Sequence, residues 1–155
     1  MKSKKQLVLS LFLPLFLYAS ETVSLQTLNG SWHLRIMDGY RVHSARAILD
    51  FNAKHKKIDG FDGCNRISGK LTHDAKHHYI SKLSTQTYEC RQTIQRYVSQ
   101  RLHQTIEEGF TIQKATMQGE RGILIQSIHH TLFFKKMGRD WLPPLKDLSL
   151  KKILF

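Results

Sequence analysis

The 155-residue sequence predicts an α+β domain that is mainly antiparallel β, a small curved or barrel-like sheet with one amphipathic helix packed on it. Three observations carry this expectation. Short segments with apolar residues at every second position recur along the chain, as in half-buried strands. One segment alone switches to a spacing of three and four, the mark of a helix with a single apolar stripe. Polar turns such as "AKHKK" and "THDAKHH" separate the strands, so neighbouring strands are expected to pair antiparallel.

The elements follow in order. "GSWHLRIM" sets Trp32, Leu34 and Ile36 on one side of a first strand, which "DGY" ends. "RAILDFNA" places Ala47, Leu49, Phe51 and Ala53 on one face, with Arg46, Asp50 and Asn52 on the other. "KIDGF" starts another strand, and Gly60 interrupts its alternation, which predicts a bulge or a close backbone approach. Ile67, Gly69 and Leu71 alternate with Ser68, Lys70 and Thr72, and "YISKL" gives one more short strand. Ile94, Tyr97, Val98, Leu102 and Ile106 then define a helix of about four turns ending near Gly109. Its polar side places it on the surface. "GFTIQKA", "GILIQS" and "TLFFKK" are three closing strands, with "SIHH" at a hairpin turn.

The N-terminus has Lys2, Lys4 and Lys5, then an apolar run from Leu7 to Leu17, then "YAS", the pattern of a secretory signal peptide over residues 1–20. The run is shorter than the ~20 residues a membrane-spanning helix needs. No cysteine stands near the cleavage region, so lipoprotein processing has no acceptor. A periplasmic or secreted location is expected. Residues 21–138 then form one domain, and residues 139–155 a Pro-containing, basic and apolar tail.

Taking the three signal-peptide lysines from 24 Lys+Arg and setting the rest against 12 Asp+Glu leaves a balance of +9. Such a surface attracts anions. The expected partners are an anionic envelope surface or another envelope protein. Export argues against nucleic acid, and a monomer is expected. The tail's Trp141, Leu142 and Leu145 suit packing on the domain, while its lysines suit an anionic membrane.

Cys64 and Cys90 are the two cysteines. An even count in an exported chain favours a disulfide. Cys64 as a nucleophile would need a nearby base and a lowered pKa, for which histidines are available. A metal site on these two alone lacks a Cys-x-x-Cys pair. Gly60, Gly63 and Gly69 are expected where a side chain would clash, and Asn65 in a turn that its side chain supports. Asp59 and Asp62 are expected in that turn, bonding its backbone. The pairs His77-His78 and His129-His130 are the candidate metal ligands, both near turns. No carboxylate pair, Ser-His-Asp order or phosphate loop is visible, so no catalytic residue and no cofactor is assigned.

In order along the chain, "LNGSWHL", "ILDF", "IDGFDGCNRISGKL" and "LSTQTYEC", then the helix and "ILIQS…TLFFKK", resemble the landmarks of the META domain family, which includes bacterial HslJ-type heat-shock proteins. The resemblance covers Leu25 to Met137 and departs at Tyr88 and Glu89, where the family usually has an apolar residue and alanine. It implies a small antiparallel barrel-like sheet with a helix, and an envelope or secreted protein linked to stress or drug tolerance. It implies no catalytic site. The expectation is a non-enzymatic exported protein that supports envelope integrity through binding. A periplasmic metal-binding protein using the histidine pairs and an inhibitor of another envelope or host protein are the alternatives.

Overall fold

The computed structural model describes residues 23–74, 78–86 and 89–138. The expected signal peptide and C-terminal tail, with His77 and Tyr88, lie outside these. The chain enters through a short helix, α1 (Leu25–Leu28), which the sequence pattern did not mark. The Leu28 carbonyl accepts a 2.7 Å bond from the Trp32 indole Nε1, which fixes the entry to the first strand. The strands are β1 (Gly30–Met37), β2 (Tyr40–Arg41), β3 (Ile48–Asn52), β4 (Lys57–Phe61), β5 (Arg66–Lys70), β6 (Thr72–His73), β7 (Tyr79–Ile80) and β8 (Ser84–Thr85). Helix α2 (Thr93–Glu108) follows, then β9 (Thr111–Met117), β10 (Glu120–Gln126) and β11 (Thr131–Lys136).

Every pairing is antiparallel, in the order β8-β5-β4-β3-β1-β11-β10-β9, with β2 paired to β1 and β6 to β7 in a separate hairpin. The α+β expectation holds. Closure into a barrel does not, among the described residues. The ladder ends at β8 on one side and β9 on the other. β8 is two residues long and pairs only through Ser84 and Thr85 with Ser68 and Ile67, too little backbone to carry a further strand. Among the described residues one isolated bridge ties the β6–β7 hairpin toward β9, with reciprocal 2.7 Å bonds between Tyr79 and Phe110.

β1 departs from a simple alternation. Its register with β11 skips a residue between Leu34 and Ile36. A bulge of one residue reverses which face the following side chains take. Trp32, Leu34 and Met37 therefore join the core, whereas Ile36 is buried outside the core cluster, and the expected shared face of Trp32, Leu34 and Ile36 breaks there. Further along the sheet Leu49, Phe51, Ile58 and Ile67 keep the predicted inward alternation. Gly60 pairs with Leu49, and a Cβ on it would run into the Ile48 carbonyl, so the predicted close approach is met.

The expected "YISKL" strand contracts to Tyr79–Ile80. The strands β9 and β10 are longer than expected, because Gln118 (φ 50) and Gly119 (φ 80) make a two-residue turn of the type that matches strand twist. Val98, Leu102 and Ile106 bury the predicted stripe of α2, with Ile94 and Tyr97 partly covered. The Gln95 side chain accepts the Gln92 backbone N–H at 3.1 Å and closes the first turn. Gly109 at φ 96 ends the helix.

Candidate functional site

The turn from β4 to β5 is organised by a carboxylate. Asp62 is fully buried, and its Oδ1 accepts the backbone N–H groups of Cys64 and Asn65, each at 2.7 Å. Its own N–H donates to the Asn65 carbonyl at 3.0 Å, which closes the turn. The other oxygen, Oδ2, accepts the Ser99 hydroxyl and pairs with His103 Nε2, both at 2.8 Å. Ser99 and His103 are one turn apart on α2, so a single carboxylate ties the turn to the helix. Burial alone would raise the Asp62 carboxyl. The His103 ring, the Asn65 and Cys64 amides and the Ser99 hydroxyl outweigh that and hold it below the usual carboxylate range. A carboxylate that accepts four donors is a weak base, and its chemistry here is to hold geometry.

The second tie is covalent. Cys64 and Cys90 form a disulfide, with Cα atoms 5.0 Å apart. Cys90 lies just before α2 rather than within its first turn. Gly63, at φ 102 with its Cβ position 3.2 Å from the Ala45 carbonyl, lets the turn pass under the 3-10 turn His43–Ala45. Asn65 is buried beside it. The structure therefore brings Gly60, Gly63, Cys64, Asn65 and Cys90 into one neighbourhood. Gly69 stands apart on β5, where a side chain would strike Ser81. Asp59 is not a turn residue. It lies in β4 and pairs with Lys57 at 2.9 Å. Sequence reasoning missed Ser99 and His103. The available signal was their spacing of four on the helix opposite an Asp-x-Cys-Asn turn.

The described histidines of the two pairs, His78, His129 and His130, do not converge on one point. His78 bonds Asp74, His129 sits 2.6 Å from Glu108, and His130 lies between Asp38 at 2.9 Å and Gln104 at 3.1 Å. His129 and His130 do occupy the predicted β10–β11 turn, closed by Ser127 N–H to the His130 carbonyl at 2.9 Å. Among the described residues no three His, Cys, Asp or Glu side chains group as metal ligands. His129 and His130 have ring centroids 6.4 Å apart yet bond different carboxylates, so each described histidine of the pairs has its own.

Among the described residues, Glu108 is an acid held far below its ordinary range. Burial would raise it, but the Ser127 hydroxyl and the His129 ring and backbone bring it from 4.5 down to about 2. A depressed folded-state pKa means that the unfolded chain binds the extra proton first as pH falls. The stability Glu108 contributes is complete above about pH 4.5 and is lost as pH falls toward about 2. Glu108→Gln is expected to lower the melting temperature at pH 7 and to flatten its pH dependence between 4.5 and 2. Parallel acid melting curves for the two proteins would rule this out.

The outward side of β1 and β2 carries a second feature. A cavity of about 250 Å³ is lined by Arg35, Arg41, His43, Ile36, Met117 and Glu120. The Arg35 Nε is buried without a hydrogen-bond partner and stands 4.0 Å from Glu120 Oε2. Glu120 is already engaged, accepting a 2.8 Å bond from Lys135 Nζ through Oε1. That bond, with the charges of Lys135, Arg35 and Arg41, lowers the Glu120 pKa against the opposing effect of burial. Two arginines thus share one carboxylate that a lysine also neutralises.

Comparison with known proteins gives the fold a wider setting. A family model described as META domain matches residues 23–138. A solution NMR structure of a protein from Burkholderia xenovorans is similar with a TM-score of 0.54 at 18% identity, covering 74% of this chain and 87% of that one. Another NMR structure is similar with a TM-score of 0.58 at 17% identity, covering 74% and 95%. At such identities the likeness is one of fold. No curated protein matches.

Proposed function

Because the chain belongs to the META domain family, we propose that it is an exported, non-enzymatic domain that supports envelope integrity under stress or drug challenge by binding. One observation carries the reading, the Cys64–Cys90 disulfide. A bond of this kind persists in oxidising compartments, which supports export. It also occupies Cys64, the side chain whose nucleophilic chemistry the sequence left open. The engaged state of Asp62 points the same way, since its four donors leave no oxygen free to take a substrate proton. Capture of a protein partner, as an inhibitor would require, is the second reading, and the charge balance favours an acidic one.

A deletion strain tests the reading when challenged with bulky hydrophobic antibiotics, heat and metal salts. Sensitivity to the antibiotics, restored by the wild-type gene, is the expected result. Sensitivity to metals alone, or full complementation by a version lacking residues 1–20, would overturn it.

A further inference from the structure

We propose that the outer pocket of β1 and β2 is a binding site for a phosphate-type oxyanion, held by Arg35, Arg41 and His43. The proposal rests on the binding role above and gives it a place and a ligand chemistry. Arginine presents a planar fork of N–H donors that matches two oxygens of a phosphate, and two such forks reach this cavity. The Arg35 Nε is buried and, although 4.0 Å from Glu120 Oε2, makes no hydrogen bond, so a desolvated donor there lacks a close acceptor. A buried donor without a partner is costly, and an oxyanion oxygen is the group that relieves it.

The surrounding groups fit. Ile36 and Met117 add apolar atoms to the wall beside the arginines. Ile36 reaches this face only because of the β1 bulge. The carboxylate of Glu120 is the opposing charge, and Lys135 cancels it at 2.8 Å, leaving the two arginine charges in excess. His33, on β1 behind the pocket wall, does not line the cavity but interacts with Arg35 and with the His43 backbone. Burial and the Arg35 charge lower its pKa against the opposing effect of the His43 backbone bond. At about 250 Å³ the cavity is larger than one phosphate group, so a substituent on the phosphate is accommodated. The same chemistry is offered by free phosphate and by an anionic lipid headgroup.

The test uses the full protein purified with its disulfide intact, titrated separately with inorganic phosphate and with phosphatidylglycerol vesicles, phosphatidylcholine vesicles being the blank. Arg41→Gln removes one exposed fork from the pocket. Arg96→Gln removes the same charge from the exposed side of α2. Arg41→Gln is expected to weaken binding about tenfold, the worth of a hydrogen bond to a charged group, and Arg96→Gln less than twofold. His43→Gln, also exposed, is expected to follow Arg41→Gln. Phosphate binding alone identifies a free anion, vesicle binding alone a headgroup, and binding of both the shared site. Equal losses for Arg41→Gln and Arg96→Gln overturn the pocket while leaving a diffuse attraction to the envelope intact. Binding of neither probe overturns the pocket outright, whatever the deletion strain shows.

Discussion

Cys64→Ala is expected to lower the stability of the domain by about 3.5 kcal/mol, the loop-closure value for a bond that spans 26 positions. In a domain of this size that corresponds to a fall of about 15 °C in melting temperature. Cys90→Ala should cost a similar amount, and the double variant little more, because the three proteins lack the same constraint. The loss is a large part of the ~5–15 kcal/mol that holds a small domain together. The bond joins the β4–β5 turn to the segment leading into α2, across a stretch that holds β5 to β8. Much of the chain between sheet and helix is therefore released at once. Differential scanning calorimetry of the three variants checks the value. A fall below about 1 kcal/mol would mean that the non-covalent ties suffice. Thiol titration of denatured, unreduced protein should find no free cysteine.

Asp62→Asn is the second large effect, at about 3 kcal/mol. The carboxylate is fully buried and accepts four donors, two backbone and two side-chain. An amide has one oxygen and turns two donor protons toward groups that also donate. At least one buried N–H or O–H then loses its acceptor, which costs ~1–3 kcal/mol, and His103 faces a neutral amide instead of a carboxylate. Ser99→Ala and His103→Ala should each cost about 1 kcal/mol, since each leaves the carboxylate with three donors. Urea unfolding of the three variants gives the comparison. Equal, small effects for all three would deny Asp62 its central role. The acid limb follows from the sign of its shift. A carboxyl depressed in the folded state adds stability above its ordinary range, and that stability is lost as pH falls through the lowered value. Asp62→Asn should remove that part of the acid dependence. The aspartate and the disulfide share the residues of one turn, so the costs of Asp62→Asn and Cys64→Ala should not add.

The sequence by itself determined the α+β class, the main strands and the one long helix, because period-two and period-three-to-four burial are local properties of a chain with one wet side. It determined the two cysteines as partners through their number, and the glycines at Gly60 and Gly63 as places of close approach. Four things were decided only in three dimensions. The β1 bulge is set by how β11 lies against it, and nothing in "GSWHLRIM" marks where the extra residue falls. The open ladder depends on how little backbone β8 offers, a matter of pairing rather than composition. Asp62, Ser99 and His103 are 37 and 41 positions apart along the chain, and a carboxylate shows its donors only when turn and helix meet. The histidine pairs looked alike in sequence, yet each described ring found a separate carboxylate, because a ligand set needs several elements to converge on one point.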